Sequence, residues 1–346
     1  MRDEPEAVRG EDGFDTAAVD AWVKSVVDVA GEPEVRQFPG GASNLTYLLA
    51  YPDRELILRR PPVGRKAASA HDMAREFRVQ RGLKPVYPYV PTVLGFCDDH
   101  AVLGSDFYVM ERVEGTILRG DLPPGMDLDA AGARALSTAL VDRLVQLHQV
   151  DPAAAGLAEL GKGRGYVGRQ VAGWTSRYAA ARTDNVPDFA TVTAWLAREQ
   201  PEDVATVVIH NDWRFDNVVL DEDLAVTGVL DWEMSTLGDP LMDLGGAVAY
   251  WIEAGDDEVF QRARRQPTHL PGMLTRAELV ERYREVSGTS PANWAFYEVF
   301  GLFRLAVIMQ QIYYRYHHGQ THNERFKDFW MFVGYLEWRC REVAGA

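Results

Sequence analysis

Alternating apolar and polar positions in the first third of the chain predict a small antiparallel sheet. Separated by turn residues, the strand-like segments occupy residues 35–38, 45–51, 55–60, 91–97 and 107–113. An amphipathic pattern over residues 71–83 predicts one helix inserted after the third strand. Asp15 is suited to cap an earlier helix, and residues 1–13, which are polar and charged, are expected to form a disordered tail.

From residue 114 onward the apolar positions follow a helical period. Helices are predicted over residues 128–148, 166–182, 188–199, 240–254, 276–286, 292–318 and 323–343. Residues 207–232 are the exception, because short apolar runs there alternate with polar clusters at strand-like spacing. These patterns predict an α+β fold with a sheet-containing part over residues 14–113 and a mostly helical part over residues 114–346.

Composition and charge narrow the class of protein. The chain has 346 residues, of which 47% are hydrophobic, so a sizeable core is expected. A net charge of -15 argues against a nucleic acid or an anionic membrane as partner, since both favour a basic surface. The two cysteines, Cys97 and Cys340, lack metal-site spacing and fit a cytoplasmic protein. We also expect no signal peptide and no membrane span of about 20 residues.

Polar residues that could take part in catalysis cluster within residues 207–232. An apolar strand ends at His210, and Asp212, Arg214 and Asn217 follow it; a second strand then delivers Asp231. Phosphoryl transfer needs such a set, because it depends on positioning and on neutralising charge around a magnesium-bound triphosphate. Asn217 and Asp231 offer the hard oxygen ligands that Mg²⁺ prefers. Asp212 would take the proton of an acceptor hydroxyl, and Arg214 would offset charge on the transferring phosphate.

Asp and Asn at strand ends often do no more than cap turns. The complete run with its spacing favours the catalytic interpretation, and it carries a family resemblance. Residues 208–243 resemble the aminoglycoside-phosphotransferase and choline-kinase branch of the protein-kinase-like fold. The run 210–212 with Asn217 matches the catalytic loop of that branch, and residues 231–233 stand where protein kinases carry Asp-Phe-Gly. Residues 230–241 are similar, more narrowly, to the kinase-like domains associated with acyl-CoA dehydrogenases.

The resemblance implies a bilobal fold that binds ATP, or alternatively GTP, with Mg²⁺ between a small antiparallel-sheet N-lobe and a helical C-lobe. It also implies a glycine-rich turn over the phosphates, formed by Gly40, Gly41, Ser43 and Asn44. Arg59 stands where kinases carry a phosphate-binding lysine, and Glu76 matches the partner of that lysine. The arginine keeps the positive charge but is longer and planar, so the exchange is not neutral. The hinge that would hold the base comprises Met110, Glu111 and Val113.

The acceptor is the least legible part of the sequence. The narrower resemblance favours a hydroxyl on a small molecule, with hydroxyacyl-CoA-type metabolites first and aminoglycosides second. Aminoglycosides are polycations and would need clustered carboxylates, for which the sequence offers Glu253, Asp256, Asp257 and Glu258. The aromatic and basic stretch around Arg304, near the C-terminus, suits an anionic or apolar acceptor instead. A nucleotide-binding pseudokinase that acts as an interaction module is a further alternative, supported only by the arginine at position 59.

Overall fold

The computed structural model describes residues 4–39, 44–62 and 72–346. All five predicted N-terminal strands form one antiparallel sheet in the order β1-β2-β3-β5-β4. In chain order the elements of this lobe are α1 (Thr16–Val26), β1 (Glu34–Gln37), β2 (Leu45–Ala50), β3 (Glu55–Arg60), α2 (Met73–Leu83), β4 (Val93–Cys97), the short α3 (His100–Leu103) and β5 (Phe107–Glu111). Asp15 caps α1 by accepting the backbone N–H of Ala18 at 3.1 Å.

The rest of the chain is mostly helical, as the sequence predicts. Its helices are α4 (Ala130–His148), α5 (Tyr166–Ala181), α6 (Ala190–Glu199), α7 (Pro240–Ala249), the short α8 (Glu258–Arg262), α9 (Arg276–Ser287), α10 (Trp294–His317) and α11 (Phe329–Ala344). Two small antiparallel sheets contain β6 (Thr116–Ile117), β7 (Val207–Ile209), β8 (Val218–Leu220), β9 (Val226–Val229) and β10 (Thr236–Gly238). The predicted helix over 323–343 is a 3-10 turn, Glu324–Phe326, followed by α11, and the helix predicted to reach 254 ends at Ala249.

The N-terminal segment differs from the disordered tail that its composition suggests. Glu6 pairs with Gln37 at the edge strand β1, through two backbone N–H···O contacts of 2.8 Å. Asp12 is buried, and its carboxylate accepts the Gln37 amide at 2.8 Å while its carbonyl accepts the Arg60 guanidinium at 2.5 Å. Residues 4–13 are therefore held by an edge strand and a buried cation, neither of which is visible in their own composition.

Helix α10 runs through the core of the helical lobe. It is long and apolar enough to cross a membrane by length and composition, but 67% of its most apolar window is buried within the protein, as in a core helix. It crosses α7 closely at two glycines. A Cβ on Gly301 would lie 2.2 Å from the carbonyl oxygen of Gly245. Helix α7 begins just after β10, the strand that follows Asp231. The crossing thus fixes α7 beneath the catalytic loop.

Candidate active site

The catalytic loop leaves β7 at His210 and is anchored from below by a buried carboxylate on α7. Asp243, 1% exposed, accepts the backbone N–H groups of His210 and Asn211, each at 2.7 Å, and the Nε2 of His148 at 3.1 Å. Burial alone would raise the pKa of Asp243, but the hydrogen bonds from the His148 ring and from the backbone N–H of His210 hold it below its usual range. The carboxylate therefore stays ionised and fixes the loop backbone.

His210 joins the two loops that carry the predicted site. Its ring is fully buried, and Nε2 lies 2.9 Å from the carbonyl oxygen of Leu230, the residue before Asp231. Its Nδ1 accepts the backbone N–H of Asp212 at 3.2 Å, so Nε2 is the nitrogen that carries the proton. A side chain with both nitrogens occupied in this way braces the loops, which agrees with a structural role for this histidine.

Asp212 is held in one orientation by two neighbours on its own loop. The amide nitrogen of Asn217 lies 2.8 Å from the carbonyl oxygen of Asp212 and 2.8 Å from its Oδ2, while Arg214 Nη2 lies 3.0 Å from the same Oδ2. Both donors use Oδ2, which leaves Oδ1 of Asp212 to meet an acceptor hydroxyl. Because the Asn217 amide nitrogen faces Asp212, its oxygen is the atom that can meet a cation.

Arg214 is itself anchored at the floor of the cleft. Its Nε lies 3.3 Å from Oδ1 of Asp216, and its guanidinium stacks over the Tyr250 ring at 4.7 Å from the centroid. Burial alone would lower the pKa of Arg214, but the carboxylates of Asp212 and Asp216 raise it. Asp216 and Tyr250 are site residues that sequence reasoning did not single out. Position next to Asn217 is the only sequence signal that Asp216 carries.

Asp231 adopts a left-handed backbone conformation, φ 64° and ψ 60°, which is unusual for a residue with a side chain. Its Oδ1 lies 3.0 Å from Nη2 of Arg59, whose Nη1 lies 3.1 Å from Oε1 of Glu76. The predicted pairing of Arg59 with Glu76 is thus present, with Asp231 as a second carboxylate. Burial would raise the pKa of Asp231, but the Arg59 guanidinium outweighs it and holds the pKa below its usual range.

Only part of the predicted glycine-rich segment lies within the described residues. Gly40, Gly41 and Ser43 lie outside the described residues. Asn44 is buried just before β2, and its amide donates to Glu233 Oε2 at 2.7 Å, so Asn44 connects the start of β2 to the segment after Asp231.

Of the three predicted hinge residues, two line the cleft and one does not. Met110 and Val113 line the cleft. The backbone N–H of Glu111 donates to the Thr92 carbonyl at 2.9 Å, and its side chain pairs with Arg54 at 3.2 Å. Glu111 is therefore engaged by Thr92 and Arg54, and it is not among the described residues that line the cleft.

The cleft between the lobes has a volume of about 1190 Å³ and contains Arg59, Asp212, Arg214, Asn217 and Asp231 together. Under the sheet its wall is apolar: Phe38, Ile57, Met110, Val113, Ile117, Val219 and Leu230. Beyond the catalytic loop the cleft continues between α8, α10 and α11. Apolar residues also line this second part: Ile252, Phe260, Leu305, Ile308, Met309, Ile312, Phe326, Phe329 and Phe332.

Charge in this second part of the cleft is basic. Six arginines line it or its entrance: Arg119, Arg262, Arg264, Arg265, Arg304 and Arg325. Within the described residues, the carboxylates lining the whole cleft are those of Asp212, Asp216, Asp231 and Glu233, all on or beside the catalytic loops. Three of these arginines lie within residues 262–265, a basic run that is visible in the sequence.

The acidic run considered for a polycation is occupied elsewhere. Asp256 accepts both terminal nitrogens of Arg276, at 2.6 and 2.9 Å, and Asp257 caps α8. Glu258 pairs with Arg262 at 2.6 Å. The run closes the α7–α8 connection and is absent from the lining of the cleft within the described part of the chain.

The residues present suit a magnesium site of low protein coordination. Asn217 offers an amide oxygen and Asp231 a carboxylate that is 35% exposed toward the cleft. Among the described residues there is no group of three or more His, Cys, Asp or Glu side chains that could hold a metal alone. That pattern fits Mg²⁺, which usually takes one or two protein oxygens and completes its shell with phosphates and water.

This architecture is typical of bilobal, kinase-like phosphotransferases: a small antiparallel sheet and a helical lobe flank a cleft that contains Asp212, Asn217 and Asp231. Residues 34–279 match the model of the phosphotransferase enzyme family, and the chain belongs to that family.

Relatives and solved structures agree with this assignment. Acyl-CoA dehydrogenase family member 10 of Mus musculus is 36% identical over 88% of this chain, and family member 11 of Homo sapiens is 33% identical over 90%. The chain spans only 29% and 40% of the lengths of these two relatives. A solved structure from Ralstonia eutropha, provisionally described as an aminoglycoside phosphotransferase, shares 30% identity with a TM-score of 0.82, covering 96% of this chain and 99% of that one. An aminoglycoside phosphotransferase solved with AMP-PNP and hygromycin B shares the fold at 15% identity and a TM-score of 0.58, covering 95% of this chain and 98% of its own.

Proposed function

We propose that this protein transfers the γ-phosphate of ATP, or of GTP, to a hydroxyl of a small anionic molecule with an apolar chain, of the hydroxyacyl-CoA type. The observation that carries the proposal is the lining of the cleft beyond the catalytic loop. Arginines and apolar side chains line it, and within the described residues its carboxylates are confined to the catalytic region. A polycationic aminoglycoside would meet repulsion there, whereas an anionic acyl compound would find complementary charge and an apolar wall.

We infer the chemical roles from the contacts in the cleft. The acceptor oxygen attacks the γ-phosphorus, the bond from phosphorus to the β,γ-bridging oxygen breaks, and the nucleoside diphosphate leaves. The proton of the acceptor hydroxyl passes to Oδ1 of Asp212, whose Oδ2 is held by Asn217 and Arg214. Arg214, fixed by Asp216 at 3.3 Å, directs its positive charge toward the transferring group. Mg²⁺ held by Asn217 and Asp231 would neutralise phosphate charge.

The nucleotide would lie under the sheet. The apolar wall around Ile57, Met110 and Val219 suits an adenine ring. Arg59 has the charge and reach to bind the phosphates of the nucleotide bidentately.

A turnover screen with Mg²⁺ and ATP tests the proposal. The acceptors are hydroxyacyl-CoA thioesters of varied chain length and hydroxyl position, the corresponding free hydroxy acids, and aminoglycosides. We expect phosphorylation of a thioester or free acid and none of the aminoglycosides. Turnover of aminoglycosides alone would overturn the choice of acceptor.

Asp212→Asn separates an enzyme from a nucleotide-binding interaction module. We expect turnover to fall by at least about 10²-fold while nucleotide affinity by calorimetry stays within about threefold, since a base contributes roughly 10²–10⁴-fold to rate. Asp223→Asn, an exposed change in the turn just after β8, is the matched control and should behave like the wild type. Unchanged turnover in the Asp212 variant would remove Asp212 as the base, and absence of turnover with every acceptor class would favour the interaction module.

The arginines at the open end of the cleft provide a second test of the acceptor. Arg265 and Arg325 are exposed and line the cleft, and neither pairs with a carboxylate within the described part of the chain. Replacing either by alanine should raise the KM for a CoA thioester about two- to fivefold, since one such charge contributes roughly 0.5–1 kcal/mol. The KM for ATP should not change. An unaltered acceptor KM in the double variant would show that anionic groups do not bind there.

A further inference from the structure

Arg59 makes a contact that its proposed role in binding phosphate does not explain. From strand β3 it reaches across the cleft to Asp231, at 3.0 Å, and also pairs with Glu76 on α2, at 3.1 Å. Only 10% of the Arg59 side chain and 1% of the Glu76 side chain are exposed, so the ion pair between Arg59 and Glu76 is buried. The guanidinium therefore neutralises the carboxylate that the proposed function assigns to Mg²⁺.

The chemistry of arginine makes this double contact possible. A guanidinium presents several N–H donors in a planar fork, so Nη1 can stay on Glu76 while Nη2 donates to Asp231. A lysine at the same position carries one compact charge on a shorter reach and would not hold both carboxylates in the same way. The arginine at position 59 is thus linked to a geometry that a lysine would not reproduce.

Two further N-lobe side chains hold the segment that follows Asp231. The guanidinium of Arg75 lies 2.5 Å from the carbonyl oxygen of Ser235 and 3.5 Å from that of Glu233. Asn44 donates to the Glu233 side chain at 2.7 Å. These contacts link the lobes without touching Asp231, so they separate two effects: joining the lobes and occupying the metal ligand.

We propose that Arg59 competes with the metal for Asp231, and that Mg²⁺ gains this carboxylate only when the phosphates of a nucleotide draw the guanidinium away. A divalent cation approaching Asp231 in the nucleotide-free protein meets a cation already hydrogen-bonded to the ligand oxygen, and the two repel at close range. Phosphate oxygens reverse the balance because they accept the donors of Arg59 and attract the metal. Metal and nucleotide therefore bind as a pair, and Glu76 keeps the guanidinium in place for the exchange. This inference rests on the proposed function only for the assignment of Asp231 as a metal ligand.

The test measures Mn²⁺ binding to nucleotide-free protein by electron paramagnetic resonance of the free ion, which needs no turnover and no acceptor. Arg59→Met is combined with Glu76→Gln, so that no buried carboxylate is left without its partner. Glu76→Gln alone is the matched control, because it keeps Arg59 on Asp231. We expect the double variant to bind Mn²⁺ at least about tenfold more tightly than the control, and a third change, Asp231→Asn, to abolish the gain.

Two more variants keep the result interpretable. Arg75→Met loosens the contact between the lobes but leaves Arg59 on Asp231, so its Mn²⁺ affinity should match the wild type. Arg59→Lys retains a cation beside Glu76 and should fold normally; it should bind Mn²⁺ without nucleotide more tightly than the wild type. Equal Mn²⁺ affinity with and without Arg59 would overturn the inference. Tight Mn²⁺ binding by the wild type in the absence of nucleotide would overturn it as well. If the Mn²⁺ differences appear but no acceptor is phosphorylated, the proposed function fails and this inference stands.

Discussion

Asp243 holds the catalytic loop through three donors, and replacing it by asparagine tests how far the site depends on that anchor. Its Oδ1 accepts one backbone N–H, from Asn211, while Oδ2 accepts the N–H of His210 and Nε2 of His148. An asparagine keeps one oxygen and turns an NH2 group toward a donor, whichever way the amide is placed. Each hydrogen bond to a buried charge contributes about 1.5–3 kcal/mol, so we expect the free energy of unfolding to fall by about 3 kcal/mol.

The loss should also appear in turnover, because the anchored backbone carries Asp212 two residues after His210. A displacement of about 1 Å at the base can cost roughly 10²-fold in rate, so kcat should fall by about that factor while nucleotide affinity changes little. Urea denaturation followed by tryptophan fluorescence measures the stability, and the turnover assay measures kcat. His148→Gln, which alters only the 3.1 Å contact, is the milder variant and should cost about 1–2 kcal/mol.

The pH dependence of this effect has a definite sign. The pKa of Asp243 is held below its usual range in the folded protein, so the carboxylate contributes stability above the unfolded pKa of about 3.9. The difference between wild type and Asp243→Asn should be constant from about pH 8 to pH 5 and shrink as the pH falls below about 4. Wild-type stability together with wild-type kcat in Asp243→Asn would refute the anchoring role.

Two stability predictions come from packing away from the cleft. Asp256→Asn should lower the free energy of unfolding by about 2–4 kcal/mol, because this nearly buried carboxylate, 4% exposed, accepts a bidentate Arg276. Asp142→Asn, in a partly exposed ion pair, should cost less than about 1 kcal/mol in the same urea titration. Gly301→Ala should lower the melting temperature markedly, because its Cβ would lie 2.2 Å from a backbone carbonyl of the crossing helix. Gly334→Ala on α11, with no atom within 4 Å of the added Cβ, should be neutral or stabilising in the same thermal melt; equal effects of the two alanines would contradict the packing account.

Several elements of the fold were readable because they depend on local pattern. The strands of the sheet and helices such as α4 follow from the spacing of apolar residues, which sets which face of an element is buried. The spacing of Asp212, Asn217 and Asp231 predicts that they face one cleft, since a short loop between strands fixes where its side chains can point, and all three line the cleft. A capping carboxylate such as Asp15 was recognisable for the same local reason.

Helix ends and short elements were less readable. The helix after Asp239 ends at Ala249 rather than near 254, and the last predicted helix is divided by a turn. Both boundaries are set by capping hydrogen bonds and by contacts with distant helices, which compete with a continuing apolar period. The N-terminal residues became ordered because β1 offered Glu6 a free edge.

The sequence by itself determined the two-part architecture and the short segments in which the predicted phosphate-transfer residues lie, because both are encoded in patterns a few residues long. Only the tertiary structure decided how those residues are used. Arg59 and Asp231 lie 172 positions apart, and nothing local indicates that one would neutralise the other. Arg265 and Arg325 line the same cleft, while Asp256 and Glu258 of the acidic run pair with arginines outside its catalytic part. These pairings depend on how helices pack, which is fixed by the sum of many distant contacts and not by any one stretch of chain.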